Sequence, residues 1–291
     1  MQKSNKLFSD TLSIIPPPLQ VVLAILSIQL GAAFAINLFS IFGPVGTVFF
    51  RLIISACLLC LFIRPKFTEN ALKHYKLLVL YGVALGLMNW CFYESIARIP
   101  LGIAVAIEFM GPLLVAVYSS RRFLDFLWIV VAFIGVLMLV PRFGADLDPV
   151  GVGYAVLAGI GWGSFVILSK KVNQASPGSD GLAIGMAVAS LFMLPFAIGN
   201  ISPVFSNPVL LGNLIMLAVL STTVPFYLEF SALKKLTPQA YGVLITLEPA
   251  VAAIIGVVAL GDILGFEGIV AVGCVTIAAI GSTLTQSSQS N

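Results

Sequence analysis

Apolar runs separated by a few polar residues recur ten times along this chain. They lie at 19–41, 45–63, 76–97, 101–119, 124–140, 150–170, 181–199, 209–230, 239–259 and 265–284. Each is long enough to cross the ~30 Å of hydrocarbon in a bilayer at about 1.5 Å per helical residue. The runs do not alternate apolar with polar positions, as barrel strands do. A helix is then the remaining way to satisfy a backbone in lipid. The pattern predicts an all-α integral membrane protein with ten transmembrane helices. None of the loops is long enough for a separate soluble domain.

Composition agrees. The 291 residues are 59% hydrophobic and 9% charged, against about 25% charged in soluble domains. A net charge of +3 is too small to point to nucleic acid. The placement of charge says more. With the N-terminus inside, Lys3, Lys6, Arg64, Lys66, Lys73, Lys76, Arg121, Arg122, Lys170, Lys171, Lys234 and Lys235 are cytoplasmic, and only Arg98 and Arg142 are outside. The excess of Lys and Arg on one side predicts that both termini are cytoplasmic. The opening "MQKSNKLFSDTLSIIPPP" has no short apolar core followed by a cleavage site, and reads as a cytoplasmic tail. The four cysteines, Cys57, Cys60, Cys91 and Cys274, lie in apolar runs and read as packing residues. The single histidine, His74, lies in a charged loop without a companion ligand.

Two segments resemble each other: "SIARIPLGIAVAIEFMGPLLVAVYSSRRFLD" (95–125) and "ALKKLTPQAYGVLITLEPAVAAIIGVVALGD" (232–262). Aligned without gaps, Arg98 falls on Lys235, Pro112 on Pro249 and Asp125 on Asp262. Five spans in each half make the second half enter the membrane from the opposite side. The expectation is two inverted five-helix repeats, 1–145 and 146–291, with a site near the midplane between them.

Glu94, Glu108, Glu229 and Glu248 lie within spans, and Arg51 is the basic residue well inside one. A charge at a helix centre costs about 2.5–3.5 kcal/mol, so four lipid-facing carboxylates would cost roughly 10 kcal/mol. They must face a cavity, pair, or carry a proton. One arginine cannot neutralise four acids. Arg51 lies ~9 Å and Glu108 ~10 Å from the outer face, level enough for an ion pair, and Glu248 lies ~14 Å from the inner face, near the midplane. Glu94 and Glu229 are nearer span ends, where a carboxylate can also reach headgroup water. The amides of Gln29, Asn37 and Asn89 can bind both ends of a zwitterion or join helices. Trp90, Tyr93, Trp162 and Tyr241 can line a cavity or pack in the core. Pro112 and Pro249 lie close to Glu108 and Glu248. Each is expected to kink its helix beside the acid and so to suit a moving gate.

The stretches "NWCFYESIARIPLGIAVAIEFMGPLLVAVYSSRRFLDFLWIVVA", "SIQLGAAFAINLF", "VFFRLIISACLL", "STTVPFYLEFSAL" and "LEPAVAAIIGVVALGD" resemble the homoserine/threonine exporters of the drug/metabolite transporter superfamily, the ten-span EamA-type proteins. The resemblance covers nearly the whole chain. Gln29, Arg51, Asn89, Glu108, Glu229 and Glu248 match its pattern. Glu94 departs from it, and span one lacks a basic residue near Ile36 that relatives carry. The resemblance implies export of small neutral amino acids across a bacterial inner membrane by proton antiport. It implies no cofactor and no ATP. Its partners are the amino acid, protons and the lipid bilayer, and a homodimer is compatible with it.

Other classes fit less well. A nucleotide sugar would want several cavity cations for its phosphates, and only Arg51 is available. A cationic compound remains an alternative cargo, because acids outnumber bases. A membrane enzyme would need a clustered acid–base or metal set, and the sequence has no such cluster.

Overall fold

Backbone N–H and C=O groups in hydrocarbon have no water to bond and pair within helices. The computed structural model describes residues 15–63, 65, 73–118, 127–128, 130–135, 147–175, 180–233, 236, 241 and 244–287, and among these there is no strand. The longer helices are α1 (Pro17–Ile63), α2 (Tyr75–Ile96), α3 (Leu101–Tyr118), α4 (Pro149–Ala175), α5 (Asp180–Ala197), α6 (Pro208–Ala218), α7 (Val224–Leu233), α8 (Glu248–Ile255) and α9 (Phe266–Ser287), with short turns at Ile198–Asn200 and Pro203–Ser206. A π-helical segment, Val219–Thr223, joins α6 to α7, and a second, Gly256–Leu260, extends α8. Residues 127–128 and 130–135 are also helical. The rest of the expected fifth span lies outside the described residues, as do Arg64, Arg121, Arg122, Lys234 and Lys235.

Four helices among the described residues are long and apolar enough to cross a membrane: Pro17–Leu61, Tyr75–Ile96, Pro149–Ser169 and Asp180–Asn200. Shorter apolar helices are Leu101–Val115, Pro208–Thr223, Glu248–Leu260 and Phe266–Ala278. The first and second expected runs form one helical stretch, α1, turned at Gly43 with φ 63° and ψ 169°. A side chain is strained at that φ, and glycine is not. Pro44 follows and can donate no hydrogen bond back across the corner. Each arm of α1 alone is long enough to cross the hydrocarbon layer.

The expected kink at Pro249 is instead a break. Thr246 and Leu247 form a turn, Leu247 caps α8, and Pro249 lies in that helix's first turn. Proline is at home there because the first N–H groups of a helix have no intrahelical partner. Pro112, by contrast, lies inside the unbroken α3.

Elements of the first half pack largely against elements of the second. α2 lies on α4 and α5, α3 on α4 and α8, and α1 on α5 and the run from α6 to α7. Small residues permit the closest approach: Gly111 of α3 lies against the backbone of Gly159 in α4, where a Cβ would overlap the Gly159 carbonyl oxygen. Tyr93, Phe42, Leu52, Leu101 and Met193 are fully buried between the helices. Ile160, Leu191 and Val258 face outward and are 61%, 65% and 78% exposed. That inversion is tolerable where the surroundings are lipid.

Candidate functional site

The polar residues of the interior converge on one place. Gln29 from the first arm of α1, Arg51 from its second arm, Asn89 from α2, Glu108 from α3 and Glu248 from the start of α8 line a cavity of about 110 Å³. An apolar cavity of roughly 150 Å³ is known to hold benzene, so this one suits a cargo of a few heavy atoms. Met88, Phe92 and Trp162 supply apolar wall, and Ser221 of the first π-helical segment adds a hydroxyl.

The α1 corner lets one helix contribute twice. Gln29 and Arg51 lie on opposite sides of Gly43, so their side chains reach the cavity from the two separate arms. Gln29, 1% exposed, donates from Nε2 to Oε1 of Glu248 across 3.2 Å. Asn89 donates from Nδ2 to the Leu85 carbonyl one turn back, at 2.8 Å. Arg51 donates from Nη1 to the Tyr93 hydroxyl at 3.3 Å, and its guanidinium carbon lies 5.4 Å from the Tyr93 ring centroid. The expected Arg51–Glu108 ion pair is therefore not formed: the arginine is held by an aromatic partner on α2. Arg51 and Glu248 remain the charged side chains whose fields reach Glu108. Three buried atoms of cavity-lining residues have no hydrogen-bond partner: Nε of Arg51, Oε1 of Gln29 and Oγ of Ser221.

Glu229 does not line this cavity. It lies on α7 and is hydrogen-bonded to the Tyr241 hydroxyl, near enough to Glu248 for the two carboxylates to interact. Glu94 is committed elsewhere. It forms an i,i+4 ion pair with Arg98, accepts from Nε1 of Trp90 at 3.4 Å, and Arg98 also approaches Asp148 at 3.7 Å. Asn37 is exposed. Of the aromatics read as wall or core, Trp162 lines the cavity, Tyr93 holds Arg51, Trp90 serves Glu94 and Tyr241 serves Glu229. Ser221 was not legible as a site residue, since a hydroxyl in a helix usually bonds its own backbone and Ser221 is one of three in a row with Thr222 and Thr223.

A cation and two carboxylates around one small cavity can bind both ends of a zwitterion, and two amides and a hydroxyl stand beside them. The arrangement contains no evident nucleophile–base pair, and its groups bind rather than react.

The EamA-like transporter family matches residues 149–284. The threonine/homoserine exporter RhtA of Salmonella typhimurium (strain LT2) and that of Escherichia coli (strain K12) are each 37% identical over 272 residues, 92% of this chain and 92% of theirs. A crystal structure only 16% identical shares the fold, with a TM-score of 0.58 over 94% of this chain and 99% of that one. With a cavity built for binding and relatives this similar along nearly its whole length, the chain belongs to the EamA-like transporter family.

Proposed function

We propose that this protein exports small neutral amino acids of the threonine and homoserine kind from the cytoplasm across a bacterial inner membrane. The observation that carries the reading is the cavity itself, where Arg51 can meet a carboxylate while Glu108 and Glu248 meet an ammonium group. The similarity to two threonine/homoserine exporters supports the cargo. The cargo's carboxylate bonds the free Nε–H of Arg51, and its ammonium group lies toward the carboxylates.

The proposed architecture is ten spans in two inverted five-helix repeats, 1–145 and 146–291, with both termini cytoplasmic. Several contacts support it. Arg98 meets Asp148, the Leu101 amide meets Asp262, and Asn200 lies against the Gly43 corner. Each joins two residues that the ten-span reading puts on the outer face. The packing of α2 on α4 answers to that of the α6–α7 run on α1, as an axis relating spans three and six to spans eight and one requires.

Proton antiport is the proposed energy source, with Glu248 the proton carrier and Glu108 second. Glu248 is bonded to the neutral amide of Gln29 and to no arginine or lysine among the described residues. Glu229 and Tyr241 stand behind it as a second polar layer. Two carboxylates against one arginine also favour a second reading, a cationic cargo.

The test is transport by the purified protein in liposomes, with labelled threonine, homoserine and a cationic dye, and with or without an imposed pH gradient. Gradient-driven movement of the amino acids is expected. Movement of the dye alone would overturn the reading in favour of the second.

A further inference from the structure

Hydroxyl groups in apolar helices normally bond the carbonyl three or four residues back. Thr47 donates to Gly43, Ser164 to Ile160, Thr276 to Val272 and Ser190 to Ala187, each at 2.7–2.8 Å. Ser221 does not, and neither do Ser55, Ser95, Thr222 and Thr223, but of these Ser221 is the one that lines the cavity. Its hydroxyl oxygen is buried without a partner, and the residue is 7% exposed. It lies in the π-helical segment Val219–Thr223, and such segments recur at functional sites.

The surroundings hold Ser221 in that position. The Ser27 hydroxyl of α1 donates to the Leu220 carbonyl at 2.7 Å and ties the π-helical segment to α1. Gly31 of α1 lies directly against Ser221, where a Cβ would overlap Oγ. Gln29 completes the polar wall: its Nε2 is engaged by Glu248, which leaves its buried Oε1 unpartnered. Ser221 Oγ can both donate and accept, and Gln29 Oε1 can accept. These unpartnered atoms are not needed for either charged end of a zwitterion.

We propose that Ser221 is a specificity-determining residue that bonds a hydroxyl on the side chain of the cargo, with Gln29 Oε1 as the second acceptor. The inference rests on the amino-acid export reading and deepens it. A cargo with an apolar group in place of the hydroxyl leaves Ser221 unpaired in a buried site, whereas a hydroxylated cargo satisfies it. A site built to bond a hydroxyl rejects the analogue lacking one far more strongly than an apolar pocket separates two sizes.

The experiment compares pairs of equal shape, threonine with valine and homoserine with norvaline, as labelled cargo in liposomes holding the full-length protein. The wild type is expected to prefer the hydroxylated member of each pair. Ser221→Ala should reduce that preference about tenfold, by loss of hydroxylated cargo rather than by general loss of transport. Ser221→Cys, which keeps a side chain in place but bonds weakly, should do the same. Thr222→Ala removes a neighbouring unpartnered hydroxyl that does not line the cavity and should leave the preference intact. An unchanged preference in both Ser221 variants overturns the inference while export stands. An equal loss of both members of a pair, with the protein still folded, makes Ser221 structural and also overturns it. A wild type that moves no amino acid removes the export reading and this inference together.

Discussion

Gln29 donates its side-chain amide to Glu248 across 3.2 Å, joining the first arm of α1 to the opening residue of α8. The donor is neutral, so the acid is oriented without being bound to a permanent cation. Glu248→Gln should abolish gradient-driven export and leave the protein folded and inserted. Exchange of labelled for unlabelled cargo should survive, because the amide imitates one fixed protonation state. Normal gradient-driven export by this variant would make Glu248 structural.

Arg51 and Tyr93 should behave as a pair. Their hydrogen bond and ring contact predict a coupling of about 0.5–1 kcal/mol in a double-mutant cycle of Arg51→Met and Tyr93→Leu, read by thermal unfolding in detergent. Arg51→Met with Glu108→Gln should couple more weakly, since no ion pair joins them. Strong coupling in the second cycle and none in the first would contradict this geometry.

Much of this site was legible in the sequence, for a physical reason. A carboxylate or guanidinium in an apolar run is costly unless it faces a cavity, so Arg51, Glu108 and Glu248 announced a shared interior. The Gly43–Pro44 boundary between the first two runs was equally plain. Glu94 was ambiguous, although its pairing with Arg98 needs only i,i+4 spacing on one helix. The partner of Arg51 was not legible, because depth along a helix carries no azimuth. Pro249 looked like Pro112, yet one opens a helix and the other lies inside one. No residue type marks the π-helical segments, so Ser221 looked like any other serine.

The crossing of α3 and α4 gives a sharp packing test. Gly111→Ala would drive a methyl group into the Gly159 carbonyl oxygen, and backbone cannot yield as a side-chain tip can. Folded yield in detergent should fall steeply, as for an overpacked core that loses about 1–3 kcal/mol or more. Gly153→Ala, six residues before Gly159 on an exposed part of α4, meets nothing within 4 Å and should fold normally. Equal tolerance of both changes would disprove the close crossing.

Asp262 accepts from the Leu101 amide at 3.0 Å and so caps α3 from a loop far along the chain. Asp262→Ala should cost about 1 kcal/mol, and Asp262→Asn, which keeps an acceptor, less. Burial, opposed by this hydrogen bond, holds the carboxyl above its ordinary value of 3.8. The folded protein then binds the proton more tightly than the unfolded chain. Stability should fall as pH rises from 3.8 through the raised folded value, and the Asn variant should lose that slope. A melting temperature that rises with pH over this window, specifically through Asp262, would reverse the sign.

The ten-span topology can be read with cysteines introduced singly after the four native ones are replaced. Substitutions at Asn207 and Ile263 should react with a membrane-impermeant maleimide added outside intact cells. Those at Lys73 and His74 should react only after the membrane is opened. All four positions are exposed in the structure, so a silent position reports its side of the membrane rather than burial. The reverse pattern would invert the protein.

The π-helical segment Val219–Thr223 also has a consequence for chain length. Each residue of an α-helix advances the facing direction by about 100°, and a π-bulge amounts to one residue more than the regular helix would use. Removing one residue there would restore the common spiral and leave Val224–Leu233 facing as before, with Glu229 still toward Tyr241. The segment thus holds a spare residue. A one-residue deletion within it would be absorbed, whereas the same deletion in the regular turns of Pro208–Ala218 would turn everything after it by about 100°.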